Sequence, residues 1–265
     1  MLVDVIPRLS CPPGPVVADL RHPILGGAAG AILLSGPRSI DLLHPSEVVT
    51  YNGSPVQAVG MLGRGLKCPS ANDFLSFPSA SFYQINGDVP FSFTVIWYYP
   101  GSNGSIFQGL ISFSTTNNGS GAWKLWADYG STNNWWIGIT STFTDTGLAA
   151  PSTAGVYVTT VTRAVGGSWA IYQNNASSTW SDTTSSAAGA QILNIGTYSN
   201  DRGTNCMGGA VFFGALLHNR ILLRSEHIQL WKEPFCWVRP VLPVIPTSGT
   251  ISGGGAGSRP MFRGI

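Results

Sequence analysis

Charge is scarce in this chain. Of its 265 residues, 14 are Lys or Arg and 12 are Asp or Glu, well below the quarter or so that ordinary soluble domains carry. Glu and Lys are each present only three times, which excludes a coiled coil or long-helix protein, whose heptads draw on both. Glycine does not recur at every third position, so the chain is not a collagen. The 43% hydrophobic content excludes a disordered polymer. The four cysteines at 11, 68, 206 and 236 include no pair two residues apart, so no metal knuckle or redox motif is present. The longest apolar run, Ile24 to Leu34, is too short to span a bilayer, and no membrane insertion is expected. Asp4 and Pro7 stand where an export signal needs a basic stub and an apolar run. Free thiols in a reducing cytoplasm are therefore expected.

What the chain does have is 33 glycines, 18 prolines and nine tryptophans. That mixture fits a folded, β-rich, turn-rich protein of one domain with extended ends. The formal charge of +2 is unevenly placed. Residues 1–30 are neutral, 31–237 carry a slight acidic excess, and 238–265 hold Arg239, Arg259 and Arg263 with no acid. Three arginines are too sparse for a nucleic-acid arm.

Prolines 7, 12, 13, 15 and 23 oppose a regular helix or central strand in residues 1–30, which read as an extended arm. From Ala31 the pattern becomes strands and turns. In Pro90–Tyr98, Phe91, Phe93, Val95 and Trp97 alternate with Ser92, Thr94, Ile96 and Tyr98. Further strands are expected at Ser105–Phe113, Ala122–Tyr129, Asn134–Thr140, Gly155–Thr162, Ser168–Gln173 and Gly209–His218. Polar turn clusters separate them, including 129–133 and 174–178. One helix is expected, capped by Ser225, anchored by Trp231 and ended by Pro234. Beyond Trp237 an extended, then glycine-rich tail follows. The expected divisions are thus an arm 1–30, a body 31–237 and a tail 238–265. On this reading, removal of either end leaves a folded core.

Several blocks resemble the concanavalin A-like, or laminin G-like, jelly-roll domains of bacteriophage proteins. They are Gly63-Arg64-Gly65-Leu66, Asp73-Phe74-Leu75-Ser76-Phe77, Pro90 to Trp97, Trp169-Ala170-Ile171-Tyr172-Gln173-Asn174 and Ile192 to Gly196. The fullest block is Asn219-Arg220-Ile221-Leu222, Ser225-Glu226-His227-Ile228, Leu230-Trp231 and Glu233-Pro234-Phe235. Asn175 stands where that family usually has glycine. The resemblance implies an all-β, two-sheet antiparallel jelly-roll sandwich with one short C-terminal helix covering one end. It also implies a virion protein made in the host cytoplasm, in capsid decoration, tail or fibre.

The side-chain inventory argues against catalysis. A glycosidase needs two carboxylates about 5–9 Å apart, and the jelly-roll glucanases supply theirs from a Glu-x-Asp-x-x-Glu run. Glu47, Glu226 and Glu233 form no such run. His22, His44, His218 and His227 have no Gly-x-Ser-x-Gly elbow to serve. No zinc ligand set has standard spacing, and Asn200-Asp201 is the one loop that calcium would suit. No cofactor is expected.

The aromatics are the remaining candidates. Trp123, Trp126, Tyr129, Trp135 and Trp136 crowd one hairpin, and alternation places Trp123 opposite Trp126 and Trp135 opposite Trp136. One of each pair faces the core, and the other is available to a glycan, to a neighbouring subunit, or to neither. The apolar residues of the ends (Leu2, Val3, Val5, Ile6; Val241, Leu242, Val244, Ile245), with Arg239, Arg259 and Arg263, suit docking on other virion proteins or on copies of the same chain. A structural virion protein is the first expectation, and a module binding host-surface glycan is the alternative.

Overall fold

The computed structural model describes residues 11–241 apart from 13, 36–38, 71, 78–82, 84, 86, 102–106, 115–122, 140–141, 185–190 and 198–206. The strands in chain order begin with β1 (Val16–Ala18), β2 (Ala28–Leu33), β3 (Ile40–Asp41), β4 (Thr50–Asn52), β5 (Val56–Gly60) and β6 (Gly63–Lys67). They continue with β7 (Phe74–Phe77), β8 (Phe91–Tyr99), β9 (Phe107–Ser114), β10 (Trp123–Asp128), β11 (Asn134–Ile139) and β12 (Thr142–Ala149). The last are β13 (Gly155–Arg163), β14 (Ser168–Gln173), β15 (Ala176–Ser181), β16 (Ile192–Ile195), β17 (Val211–His218) and β18 (Val238–Pro240). One 3-10 turn, Pro23–Leu25, and one helix, α1 (Arg224–Lys232), complete the described elements.

The strands form a two-sheet antiparallel sandwich. The front sheet runs β12-β11-β10-β9-β16-β7-β4, and the back sheet runs β15-β14-β13-β8-β17-β2-β3. The hairpin β5–β6 joins the back sheet through β17, beside the end of β2, so that the sheet forks there. Period-2 alternation sends Phe91, Phe93, Val95 and Trp97 of β8 into the space between the sheets. They meet Phe113, Trp123, Leu125, Trp135 and Ile137 of the front sheet, all buried. Trp123 sits within 5.1 Å of Phe91 and 5.0 Å of Phe113, centroid to centroid. Trp97 meets Trp135 edge-on at 6.0 Å. Buried indole N–H groups need acceptors: Trp97 donates to Thr159 Oγ1 and Trp135 to Gln173 Oε1.

Behind the back sheet lies a second apolar layer. Ala31, Leu33, Ile96, Val158 and Leu216 of the sheet pack against Ile24, Leu25, Leu222, Leu230, Phe235, Trp237 and Val238. This layer explains why both faces of β8 are buried, although its sequence alternates.

Several sequence expectations change. Residues 14–30 are not a free arm: Ile24 is fully buried, β1 pairs with β18, and β2 crosses the boundary drawn at residue 30. The prolines there sit in the 3-10 turn and irregular links, where a missing N–H costs nothing. The start of the tail is likewise held, through Val16↔Pro240 and Ala18↔Val238. The helix lies over the outer face of the back sheet rather than over one end. Its buried residues are His227 and Leu230, while Trp231 is half-buried. Its N-cap is Leu223, not Ser225; Glu226 reaches back to accept the Leu223 N–H at 2.8 Å.

Candidate functional site

The crowded hairpin is β10–β11, paired from Trp123↔Ile139 to Asp128↔Asn134. Alternation separates its aromatics as expected. Trp123 and Trp135 go to the core, at 1% and 0% exposure, while Trp126 and Trp136 lie on the outer face of the front sheet. Alternation predicts an available ring from each pair, but only Trp136 is half-exposed; its neighbours on the outer face cover Trp126, which is 7% exposed. Those two are direct cross-strand partners and stack with centroids 6.3 Å apart and planes 27° apart. Tyr129 is not part of this group. It is half-buried past the end of β10, stacked at 5.9 Å on Tyr99, and its hydroxyl donates to Pro151 O.

The sequence reading missed the third ring. Phe143 of β12, 54% exposed, stands edge-on to Trp126 at 5.6 Å. β12 reads as Thr-Phe-Thr-Asp-Thr-Gly-Leu-Ala, too polar to register as a strand; its β-branched threonines were the available signal. Gly138 lies beneath the rings. A Cβ there would meet Trp126 Cζ3 at 2.9 Å, Phe143 Cδ1 at 3.0 Å and Lys124 Cγ at 3.1 Å. Glycine is therefore what lets the three side chains close over the β11 backbone.

Polar groups border this aromatic strip. Lys124 places its ammonium 5.5 Å from the Phe143 centroid, a cation–π arrangement, and burial lowers its pKa. Trp136 donates its indole N–H to Thr132 Oγ1. Asp145, cross-strand from Trp136, accepts from Asn134 Nδ2 at 3.0 and 3.1 Å and from the Gly147 N–H. On the same face, Asn52 Nδ2 donates to Ser76 Oγ, Ser76 Oγ to Asn194 Oδ1, and Asn194 Nδ2 to Ser112 Oγ. Ser112 is the cross-strand neighbour of Lys124. The face thus offers the rings of Trp136 and Phe143 for apolar C–H groups, with the Asp145 carboxylate, the Asn134 amide and the Thr132 hydroxyl alongside, while Ser112, Asn194 and Lys124 are buried beneath it.

The other acids have structural partners. Asp128 accepts from Gly130 N, Ser131 N and Ser131 Oγ. Asp73 accepts from Ser54 N and Ser70 N. Asp41 holds Ala31 N, Leu43 N and Tyr83 Oη. Asp88 pairs with Arg163, and Glu226 with Arg220. Among the described residues no cluster of His, Cys, Asp or Glu could hold a metal ion; Asn200 and Asp201 lie outside them. Of the docking residues, Arg239 and Val241 are exposed beside β18. Leu2, Val3, Val5, Ile6, Leu242, Val244, Ile245, Arg259 and Arg263 lie outside the described residues.

No protein-family model and no curated protein matches this sequence. Solved structures do. The binding domain of Paraclostridial Mosquitocidal Protein 1 superposes with a TM-score of 0.62 at 13% identity, over 80% of this chain and 53% of that one. The chain shares its fold. Domain 4 of AbnA, an extracellular arabinanase from Geobacillus stearothermophilus solved with arabinotriose, gives 0.56 at 14% identity, over 77% of this chain and 97% of that one. The binding domain of botulinum neurotoxin serotype G gives 0.56 at 16% identity, over 77% and 50%. The chain spans about half the length of both toxin structures. All three are β-sandwich domains, and at these identities the likeness is one of fold.

Proposed function

We propose that this protein is a non-catalytic carbohydrate-binding sandwich whose binding surface is the front-sheet strip of Trp136 and Phe143, packed on the buried Trp126. The observation that carries the reading is the aromatic strip closed over Gly138 and flanked by the Asn134–Asp145 pair. Sugars present apolar C–H faces that lie on aromatic rings and hydroxyls that need directional partners, and this arrangement supplies both. The bound arabinotriose of the AbnA domain supports the reading, because that domain matches over nearly its whole length. In line with the phage resemblance, the module would be carried on a virion and face host-surface glycan. Glycan-array and calorimetric titration of the full chain test it. Trp136→Ala and Phe143→Ala are each expected to weaken binding by about ten-fold, the loss of one or two kcal/mol of stacking. Unchanged affinity in both variants would remove the strip from the account.

A second reading, a structural virion subunit, is favoured by the apolar edge at β5. Val56 and Val59 on the strand and Met61 in the turn after it are 47%, 81% and 86% exposed, and among the described residues β5 pairs only with β6. Edge strands without protective charge invite another chain. Quantitative mass spectrometry of purified particles tests this placement, and absence of the protein from particles would sink it.

A further inference from the structure

The back sheet carries a second concave surface that the aromatic reading does not use. The helix and the loop before it cover β8, part of β13 and the Tyr172 ring of β14, and beside them a trough opens over the rest of β14 and over β15. The floor follows a single cross-strand row, Ser92–Thr162–Ala170–Thr179. Thr162 and Ala170 are buried in that floor, and Thr179 stands exposed on the edge strand. Ile221, 40% exposed, closes the helix side above Ser92, whose hydroxyl donates to Arg220 O. Tyr172 forms one long wall, and Ser168 with Ser181 the other. The trough is shallow and open to solvent, with a volume of about 490 Å³.

The wall ring is fixed in advance. Tyr172 stacks on His227 at 5.2 Å and 26°. His227 is itself pinned between Thr160 Oγ1 and Asn174 O, at 2.9 and 2.8 Å. A pre-set wall removes part of the ordering cost of binding. The lining contains no charged side chain: the polar groups are the hydroxyls of Thr162, Ser168, Tyr172, Thr179 and Ser181. Two arginines adjoin lining residues in sequence, and both are paired: Arg163 is on the opposite face of β13 with Asp88 and over Trp169, and Arg220, next to Ile221, is held by Glu226. An anion or cation would enter such a trough without a counter-charge. A polyhydroxylated neutral molecule would find donors and acceptors at the strand spacing of about 4.8 Å, with a ring edge beside it.

We propose that this trough is a second binding site, for a neutral oligosaccharide of two or three sugar units. It rests on the carbohydrate-binding reading but uses the opposite face of the sandwich. Two sites facing apart make each molecule bivalent toward polysaccharide, and linkage of two sites raises avidity without new contacts.

The test is titration of the full chain with maltotriose, cellotriose and mannotriose, and with sialyllactose as the charged comparator. Stoichiometry is read by calorimetry and the site by NMR shifts. Thr179→Arg, on the exposed edge strand, and Ala170→Phe, which fills the floor, are each expected to remove one binding event and its shifts around Tyr172. Trp136→Ala should leave that event in place. If Thr179→Arg abolishes all binding while Trp136→Ala changes nothing, the trough stands and the front-strip reading falls. If both trough variants bind every trisaccharide as the parent does, the trough is overturned. Equal or tighter binding of sialyllactose at the trough overturns its neutral character. Absence of binding to every neutral trisaccharide at millimolar concentration overturns the proposal altogether.

Discussion

His218 and His227 show how single residues tie the layers together. His218, at the end of β17, bonds Ile24 O through Nε2 at 2.6 Å, holding the 3-10 turn against the sheet. Its Nδ1 is buried with no hydrogen-bond partner among the described residues. Burial is the main reason its pKa falls to about 4; the Ile24 carbonyl opposes the shift, Arg220 adds to it and Glu226 opposes it. His227 is lowered to about 4 by burial, against the Asn174 carbonyl and with Arg224 adding to the fall. Both are therefore neutral when folded at pH 7. Between their ordinary value of 6.5 and about 4 the unfolded chain holds more protons. Stability is complete above that window and is lost as pH falls through it. Shifts of this size correspond to about 3 kcal/mol per histidine once pH reaches the lower end. Urea midpoints measured across this range should decline, and His227→Gln, which keeps a donor and an acceptor, should flatten the decline. Parallel curves for parent and variant would contradict this.

At the scale of elements, α1 illustrates a helix start built without a capping side chain. Leu223 offers none, so Glu226 supplies the acceptor for its N–H and also grips both Arg220 terminal nitrogens at 2.7–2.8 Å. Arg220 in turn donates to Gly26 O, linking the helix to the segment before β2. Glu226→Ala should cost about 1 kcal/mol, the usual worth of a lost cap, because the ion pair, at 30% and 19% side-chain exposure, still reaches solvent that screens it. Glu226→Gln should retain most of that, since its amide oxygen still accepts the Leu223 N–H. Denaturant midpoints at neutral pH separate the two, and equal losses would assign the effect to charge instead. The fork of the back sheet depends on a glycine in a similar way. A Cβ at Gly65 would meet Val211 Cγ1 at 2.7 Å, Phe213 Cδ1 at 2.8 Å and Phe212 O at 2.9 Å. Backbone at that distance cannot yield, so β6 approaches β17 only with glycine there.

At the scale of the molecule, residues 15–19 and 237–241 close the second core together. β1 pairs with β18, Asp19 N donates to Trp237 O, and Val241 N donates to Pro15 O. Removal of residues 1–30 would strip Ile24, Leu25, β1 and half of β2 from the back sheet. That variant is expected to be unfolded, contrary to the independence that the proline-rich sequence suggests. A truncation after Trp237 should be less stable than one after Val241 by at least about 2 kcal/mol, since it loses the β1–β18 ladder and the fully buried Val238. Calorimetric melting of the two truncations checks this, and identical melting temperatures would show that the ladder contributes nothing.

Much of this was legible in the sequence. The strand Phe91–Tyr99, the β10–β11 hairpin and the division of its tryptophans between core and outer face all follow from a period of two, which covalent geometry imposes on any extended chain. The single helix and its end before Pro234 follow from local rules as well. Tertiary structure alone decided the rest, because it turned on contacts between residues far apart in the chain. Phe143 became the third ring only because β12 pairs with β11, and its own strand is too polar to announce itself. Proline density spoke for a free arm, yet Ile24 and Trp237, 213 positions apart, are buried in the same layer behind the back sheet. Local sequence fixes which way a side chain points. What lies opposite it is set by how the sheets stack, and here that placed one layer of apolar residues where the sequence suggested open ends.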